Sequence, residues 1–254
     1  MTSASVDNGL WCRRFHSSPT AAGRLVCFPH AGGSASFYYP VSAQLHGRVD
    51  VLAIQYPGRQ DRRAERCVED LRTLADRTFE ALRPWAGLPL TFFGHSMGAL
   101  VAYEVAVRFE RAGLAVDHLF VSGRRGPAVE RRESVHLLGD EGIVAEVRSL
   151  SGTDEGILAD AELLRMVLPA LRSDYRAVET YRGDPDTVLD CPITVLTGDR
   201  DPRTPLDEAH AWKHHTGAAF ELRVFSGGHF YLSERPAEVI GVLGDHFAAV
   251  LPHS

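Results

Sequence analysis

The stretch Leu90-Thr91-Phe92-Phe93-Gly94-His95-Ser96-Met97-Gly98-Ala99-Leu100-Val101-Ala102-Tyr103-Glu104-Val105-Ala106-Val107-Arg108 joins two different apolar patterns. Leu90 to Phe93 reads as a short buried strand, whereas from Ala99 onward apolar residues fill most positions, as in a buried helix. Between them lies Gly94-His95-Ser96-Met97-Gly98, a G-x-S-x-G pentapeptide. A serine at such a strand-to-helix turn is held in a strained backbone conformation that pushes its hydroxyl outward. The turn brings neighbouring chain so close that the positions flanking His95-Ser96-Met97 must be glycine, hence Gly94 and Gly98. A helix that starts just after Ser96 aims its free N–H groups and positive dipole end at an oxyanion forming there. A chance G-x-S-x-G in a loop would lack the strand before it and the helix after it. Ser96 is therefore read as a nucleophile.

Upstream, Arg24 to Pro29 forms another apolar strand that runs into His30-Ala31-Gly32-Gly33. A glycine-rich turn at a strand end lets backbone N–H groups approach a ligand without side-chain obstruction. The oxyanion hole is therefore assigned to the N–H groups of Ala31 and Met97, with His30 equally suited to bracing the loop. Trp11 to Phe15 is read as an edge strand, Phe37 to Leu45 as a helix, and Val49 to Ile54 as a strand ended by Tyr56-Pro57-Gly58-Arg59. Val68 to Trp85 has apolar residues near helical spacing.

Downstream, His118 to Ser122 is a further strand, after which Gly123 to Asp186 offers no convincing one. That interval carries helical patterns at Asp140 to Leu150 and Ala161 to Tyr181. In the second, Leu163, Leu164, Val167, Leu168, Leu171, Tyr175 and Val178 make one stripe, with Pro169 expected to kink it. Strands resume at Ile193 to Thr197 and Phe220 to Phe225, with a helix expected over Leu206 to His215 and a last one over Glu234 to Leu251, Pro236 in its first turn. Alternation of this kind predicts an α/β fold, a mostly parallel sheet with helices on both faces. The expected organisation is a core of residues 1–122 and 187–254, with 123–186 inserted as a helical lid.

The 254 residues suit one large α/β domain with an insertion. A net charge of −6 argues against general nucleic-acid binding. Lys213 is the only lysine, so positive charge is carried almost wholly by arginine. Cys12, Cys27, Cys67 and Cys191 show no metal-binding spacing, and Cys27 inside an apolar run reads as a small core residue. Met1 to Leu10 lacks the pattern of a signal peptide, and no run reaches membrane-spanning length, so a soluble cytoplasmic enzyme is expected.

A serine hydroxyl needs a base beside it, itself oriented by a carboxylate. In α/β-hydrolases these follow in the order Ser, Asp or Glu, His. His229 lies in the glycine-flanked loop after the last strand, whereas His210, His214 and His215 fall on an expected helix and read as surface residues. Of Asp199 and Asp201, both after the Ile193 strand, Asp201 is preferred because it lies further out and can bend toward His229. Asp199 reads as a turn residue bonding its own backbone.

The segments Phe28 to Gly33, Tyr56 to Arg59, Gly94 to Ala99, Val121 to Arg124, Thr197 to Pro202 and Gly227 to Phe230 together resemble those of the type II thioesterases, the discrete editing hydrolases of polyketide and nonribosomal peptide assembly lines. The resemblance spans nearly the whole chain. It implies hydrolysis of acyl groups from the phosphopantetheine arm of acyl or peptidyl carrier proteins, with Ser96, Asp201 and His229 as triad and Ala31 and Met97 as oxyanion donors. It implies no metal or organic cofactor beyond the phosphopantetheine of the substrate. Rival readings are a carboxylesterase, a medium-chain fatty acyl carrier hydrolase, and a silent carrier-binding protein, which the complete triad disfavours. Two further expectations concern recognition. Leu163, Val167, Leu171 and Tyr175 would help line the acyl end. As groups, some of Arg59, Arg62, Arg63, Arg124, Arg125, Arg131 and Arg132 would flank the mouth and attract an acidic carrier, whereas any single one reads first as solvated or paired with neighbours such as Asp61, Glu65, Glu130 and Glu133.

Overall fold

In the computed structural model, which describes residues 8–150 and 160–250, a single seven-stranded sheet organises the chain. Residues 1–7, 151–159 and 251–254, which the expected core and insertion include, lie outside the described residues, as does Leu251 of the expected last helix. The strands are β1 (Cys12–Arg13), β2 (Arg24–Phe28), β3 (Asp50–Ile54), β4 (Leu90–His95), β5 (His118–Ser122), β6 (Ile193–Gly198) and β7 (Phe220–Phe225). Their order is β1-β3-β2-β4-β5-β6-β7. Only β1 runs antiparallel, through Cys12 opposite Ile54 and Arg13 opposite Ala53. The expected edge strand is therefore real but shorter than Trp11 to Phe15.

The helices are α1 (Asn8–Trp11), α2 (Tyr39–Leu45), α3 (Leu71–Leu82), α4 (Met97–Arg111), α5 (Asp140–Ser149), α6 (Ala161–Thr180), α7 (Leu206–His210), α8 (Tyr231–Glu234) and α9 (Pro236–Val250). Side chains alternate across the inner strands, so each strand feeds two cores. Val26, Phe28, Leu52, Phe92 and Val121 pack on one face with α3 and α4. Leu25, Cys27, Val51, Phe93 and Phe120 pack on the other with α2 and α9. Helices therefore cover both faces, as the alternation of strands and helices predicts.

Local chemistry explains where helix ends depart from the sequence reading. Asp70 caps α3 by accepting the Thr73 N–H at 2.7 Å, which starts the helix at Leu71 rather than Val68. Pro84 turns its far end into a 3₁₀ segment, Arg83–Trp85. Arg235, the residue before Pro236, sits at φ −129 and separates α8 from α9. The segment expected as one helix from Leu206 divides into α7 and a 3₁₀ turn, Ala211–His215. His215, expected at the surface, is 3% exposed and bonds Tyr103 Oη and the Thr187 carbonyl.

The sheet reverses direction of growth between β2 and β4, and the loops leaving those two strands meet at their carboxyl ends, where parallel sheets hold ligands. Above them lies the chain between β5 and β6, which contains no strand among its described residues. Its helices α5 and α6 share their own apolar cluster of Val135, Ile143, Val144, Val147, Leu168 and Leu171. The helix α6 runs through Pro169 as one element.

One buried ion pair ties α6 to the sheet. Asp174, 1% exposed, receives both terminal nitrogens of Arg59, at 2.8 and 2.9 Å, and the Gly32 N–H at 2.8 Å. Arg59 also donates to the Gly33 carbonyl at 3.0 Å. Replacing Asp174 with alanine strands a buried guanidinium and is expected to cost about 3–5 kcal/mol by urea denaturation. Replacing Asp174 and Arg59 together by leucine should recover much of that loss. A neutral Asp174→Ala would show the pair to be dispensable.

Candidate active site

Strand β4 delivers the chain to Ser96, which sits at φ 54 and ψ −115 and caps α4. Among the described non-glycine residues only Gln60 shares a positive φ, so Ser96 occupies a conformation that costs about 1–3 kcal/mol and must be held by its surroundings. Two close approaches hold it. A Cβ on Gly94 would lie 2.1 Å from the Gly98 carbonyl oxygen, and one on Gly98 would lie 2.0 Å from that of Phe28. Glycine is therefore required at both positions by backbone crowding. The Ser96 N–H donates to the Ser122 carbonyl at 2.8 Å, fixing the turn against β5.

The last strand delivers His229. Its Nε2 accepts from Ser96 Oγ at 3.1 Å, and its Nδ1–H donates to Asp201 Oδ2 at 2.8 Å. The tautomer with its proton on Nδ1 satisfies both bonds. The Asp201 side chain is fully buried, and its Oδ1 accepts the Arg203 N–H at 2.8 Å. Ser96, His229 and Asp201 thus form one hydrogen-bonded line, and Asp201 rather than Asp199 touches the imidazole. Asp199, expected to bond its own backbone, instead accepts the Gly227 N–H with Oδ1 at 2.9 Å, bracing the loop that carries His229.

Ser96 and His229 open onto a cavity of about 640 Å³ including its mouth, whose floor includes His30, Ala31, Met97 and Phe230. The Ala31 and Met97 N–H groups have no acceptor among the described residues. Met97 is the first residue of α4, where helix geometry leaves the N–H free. The turn that presents Ala31 is fixed by Gly33 N–H to the His30 carbonyl at 2.9 Å and by Gly32 to Asp174. His30 packs edge-on against Phe37 and Phe230, so it braces this loop.

Burial, reinforced by His229 and Arg59, pushes His30 down to about 3. Burial likewise holds His95 well below the usual histidine range, its Nδ1 bonded to Ser122 Oγ at 3.0 Å. Both are neutral companions of His229.

Of the expected acyl-lining residues, Tyr175 faces the cavity together with Val178, Val147 and Leu150. Val167 and Leu171 pack within the α5–α6 cluster instead. Leu163 is 41% exposed and does not line the cavity, which corrects the expectation for it. It lies in the first turn of α6, on the far end from Tyr175.

For the arginines, the pairing with sequence neighbours is found for Arg62 and Arg125, and the expectation that these groups stand free at the mouth is corrected for most of them. Arg59, Arg62 and Arg125 are buried. Arg62 pairs with Glu65, Arg125 with Glu133 at 2.7 Å, and Arg131 with Glu208 at 2.8 Å. Only Arg63 and Arg132 of the seven are exposed. Arg124 lines the cavity. Sequence reading missed Asp174, although a carboxylate on the apolar stripe, a turn from Leu171 and from Val178, was a signal. It also missed Arg203, whose guanidinium meets Glu133 at 2.8 Å and Glu146 above the Asp201 loop.

A family profile described as Thioesterase domain matches residues 23–247. The chain belongs to the thioesterase family. It is 52% identical to thioesterase PikA5 of Streptomyces venezuelae, over 95% of this chain and 87% of that protein. It is 35% identical to the gramicidin S biosynthesis protein GrsT of Aneurinibacillus migulanus, over 95% of each. The solved structure of the type II thioesterase BorB from the borrelidin biosynthetic cluster superposes with a TM-score of 0.88 at 51% identity, over 97% of this chain and 100% of that one. The chain therefore has the α/β-hydrolase fold of these thioesterases. Among the described residues no helix is long and apolar enough to cross a membrane, and no group of three or more metal-ligating side chains is assembled.

The buried neutral histidines give this thioesterase a defined acid response. Their folded pKa values lie below the unfolded value of about 6.5, so the unfolded chain takes up protons first as pH falls. Their contribution is complete above about pH 6.5 and declines below it, by up to about 1.4 kcal/mol per pH unit for each histidine. The urea midpoint is expected to drop between pH 6.5 and 5. A midpoint that held or rose over that interval would contradict the neutral assignment.

Proposed function

We propose that this chain is a serine thioesterase that hydrolyses acyl groups from the phosphopantetheine arm of acyl or peptidyl carrier proteins, removing aberrant or stalled chains in polyketide or nonribosomal peptide assembly. The observation that carries the reading is the bonded line Ser96–His229–Asp201, opening onto a cavity in a chain half identical to the type II thioesterase BorB.

Ser96 Oγ attacks the thioester carbonyl while His229 Nε2 takes its proton, with Asp201 holding the imidazole and stabilising its charged form. The Ala31 and Met97 N–H groups receive the oxyanion; losing one such donor costs about 100- to 1000-fold in rate. The pantetheine thiol leaves, protonated by His229. His229 then draws a proton from water, whose oxygen attacks acyl-Ser96, and returns that proton to Ser96 Oγ as the carboxylic acid leaves. Each step uses side chains and backbone of this chain and calls on no metal or organic cofactor. Residues 123–186 act as a helical lid, its described part fastened over the site by Asp174 on one side and by Glu133 and Glu146 on the other. The acyl chain lies against Tyr175 and Val178. Docking of an acidic carrier falls to exposed cations such as Arg63 and Arg132 rather than to the buried arginines.

Hydrolysis rates should be measured across short and long acyl groups loaded on a carrier protein, beside oxygen esters of the same acids. Ser96→Ala should abolish turnover with the fold intact. Asp201→Asn should lower kcat by about 10⁴-fold, because it fixes the wrong tautomer of His229. A marked preference for oxygen esters would favour a carboxylesterase, and a rate rising steeply with saturated chain length a fatty acyl hydrolase.

A further inference from the structure

Among the described residues, four charged side chains line the cavity, and three of them are committed. Glu133 accepts from Arg125 and Arg203, Arg203 also holds Glu146, and Glu179 accepts the N–H groups of Val135 and His136 at 2.9 and 3.0 Å. The fourth is Arg124. Its guanidinium donates to no group among the described residues, and its Nε is buried without a partner. Only its backbone is engaged, the carbonyl accepting Trp212 Nε1–H at 2.8 Å.

The position of Arg124 matters as much as its isolation. It follows Ser122, whose carbonyl holds the Ser96 N–H, and Gly123, where an added Cβ would meet the His229 ring at 3.4 Å. It thus leaves β5 directly after residues that touch the serine turn and the imidazole, and its side chain borders both the Ser96 cavity and an adjoining pocket lined by Arg125, Val178 and Tyr181. A polar group left unpaired in a desolvated site is costly, more so when charged. A purely aliphatic chain packed there would expel water from the guanidinium and put nothing in its place. An acyl chain with an acceptor oxygen would replace it.

We propose that Arg124 is a specificity-determining residue that donates a hydrogen bond to an oxygen that the acyl group carries beyond its thioester carbonyl. The chemistry is shared by 3-oxoacyl, 3-hydroxyacyl and 3-carboxylate (malonyl-type) groups. This rests on the thioesterase reading above and adds the class of acyl group that the site selects.

The test compares kcat/KM for N-acetylcysteamine thioesters of butyrate, 3-hydroxybutyrate, 3-oxobutyrate and malonate. Wild-type enzyme should favour at least one of the three oxygenated esters over butyryl by about tenfold or more. Preference for malonyl alone identifies a carboxylate as the ligand, and preference for the other two a neutral oxygen. Arg124→Met should lower the ratio of oxygenated to butyryl turnover by about 10- to 100-fold, and Arg124→Lys should restore part of it. The substitution orphans no carboxylate, since Glu133 keeps Arg125 and Arg203. A merely structural role would lower all esters equally and leave the ratio unchanged, which would overturn the assignment. So would a wild-type enzyme that treats every oxygenated ester like butyryl, a result that needs no variant. Absence of turnover with all four esters would instead overturn the thioesterase reading itself, and the assignment with it.

Discussion

The crowding around Ser96 governs the rest of the molecule. A non-glycine residue at φ 54 persists only where neighbours leave no alternative, and here the carbonyls of Phe28 and Gly98 lie within about 2 Å of where extra atoms on Gly98 and Gly94 would stand. That contact places the end of β2, the end of β4 and the start of α4 in one fixed relation. The loop after β2 then presents Ala31, and α4 presents Met97, on the same side as the serine hydroxyl. The Met97 N–H is placed by how closely two strands and one helix approach, and the Ala31 N–H by that approach together with the Asp174 carboxylate that holds Gly32.

A second layer of constraint lies between the sheet and the segment above it. Asp174 of α6 holds Arg59 and Gly32, fastening that helix to the very turn that carries Ala31. On the opposite side, Arg203 holds Glu133 and Glu146 while its own N–H bonds Asp201. Movement of α5 or α6 is thereby transmitted to groups on both sides of the serine. Buried ion pairs contribute little net stability compared with apolar packing, but they fix one geometry, because each partner is costly to strand.

Much of this was legible in the sequence because it is local. G-x-S-x-G between a strand and a helix specifies the turn, and the His30 to Gly33 loop and the Gly227 to Phe230 loop follow strands whose order the alternation predicts. The choice of Asp201 over Asp199 was also local, a matter of reach beyond the strand. What escaped was long-range pairing. Arg59 read as a cation at the mouth because nothing nearby in sequence announces Asp174 as its partner, and although Glu133 was a foreseeable neighbour of Arg125, the depth at which they meet was not. Asp199 looked self-contained because the N–H its carboxylate accepts, that of Gly227, lies far along the chain, in the loop that follows the neighbouring strand β7. His215 read as exposed because the helix expected to carry it ends at His210, and the 3₁₀ turn that follows rotates its ring inward. Leu163 shared the periodicity of Tyr175 without sharing its environment, since a stripe identifies a face and not the depth along it.

The central claim is that a single hydroxyl, that of Ser96, carries the reaction. Treatment of the folded protein with a fluorophosphonate, followed by intact-mass analysis and peptide mapping, tests it directly. The account predicts one phosphonyl group per chain on the peptide containing Ser96, with thioester hydrolysis lost in proportion to labelling. Complete labelling of Ser96 with hydrolysis retained, or loss of activity through a label at another residue, would contradict it.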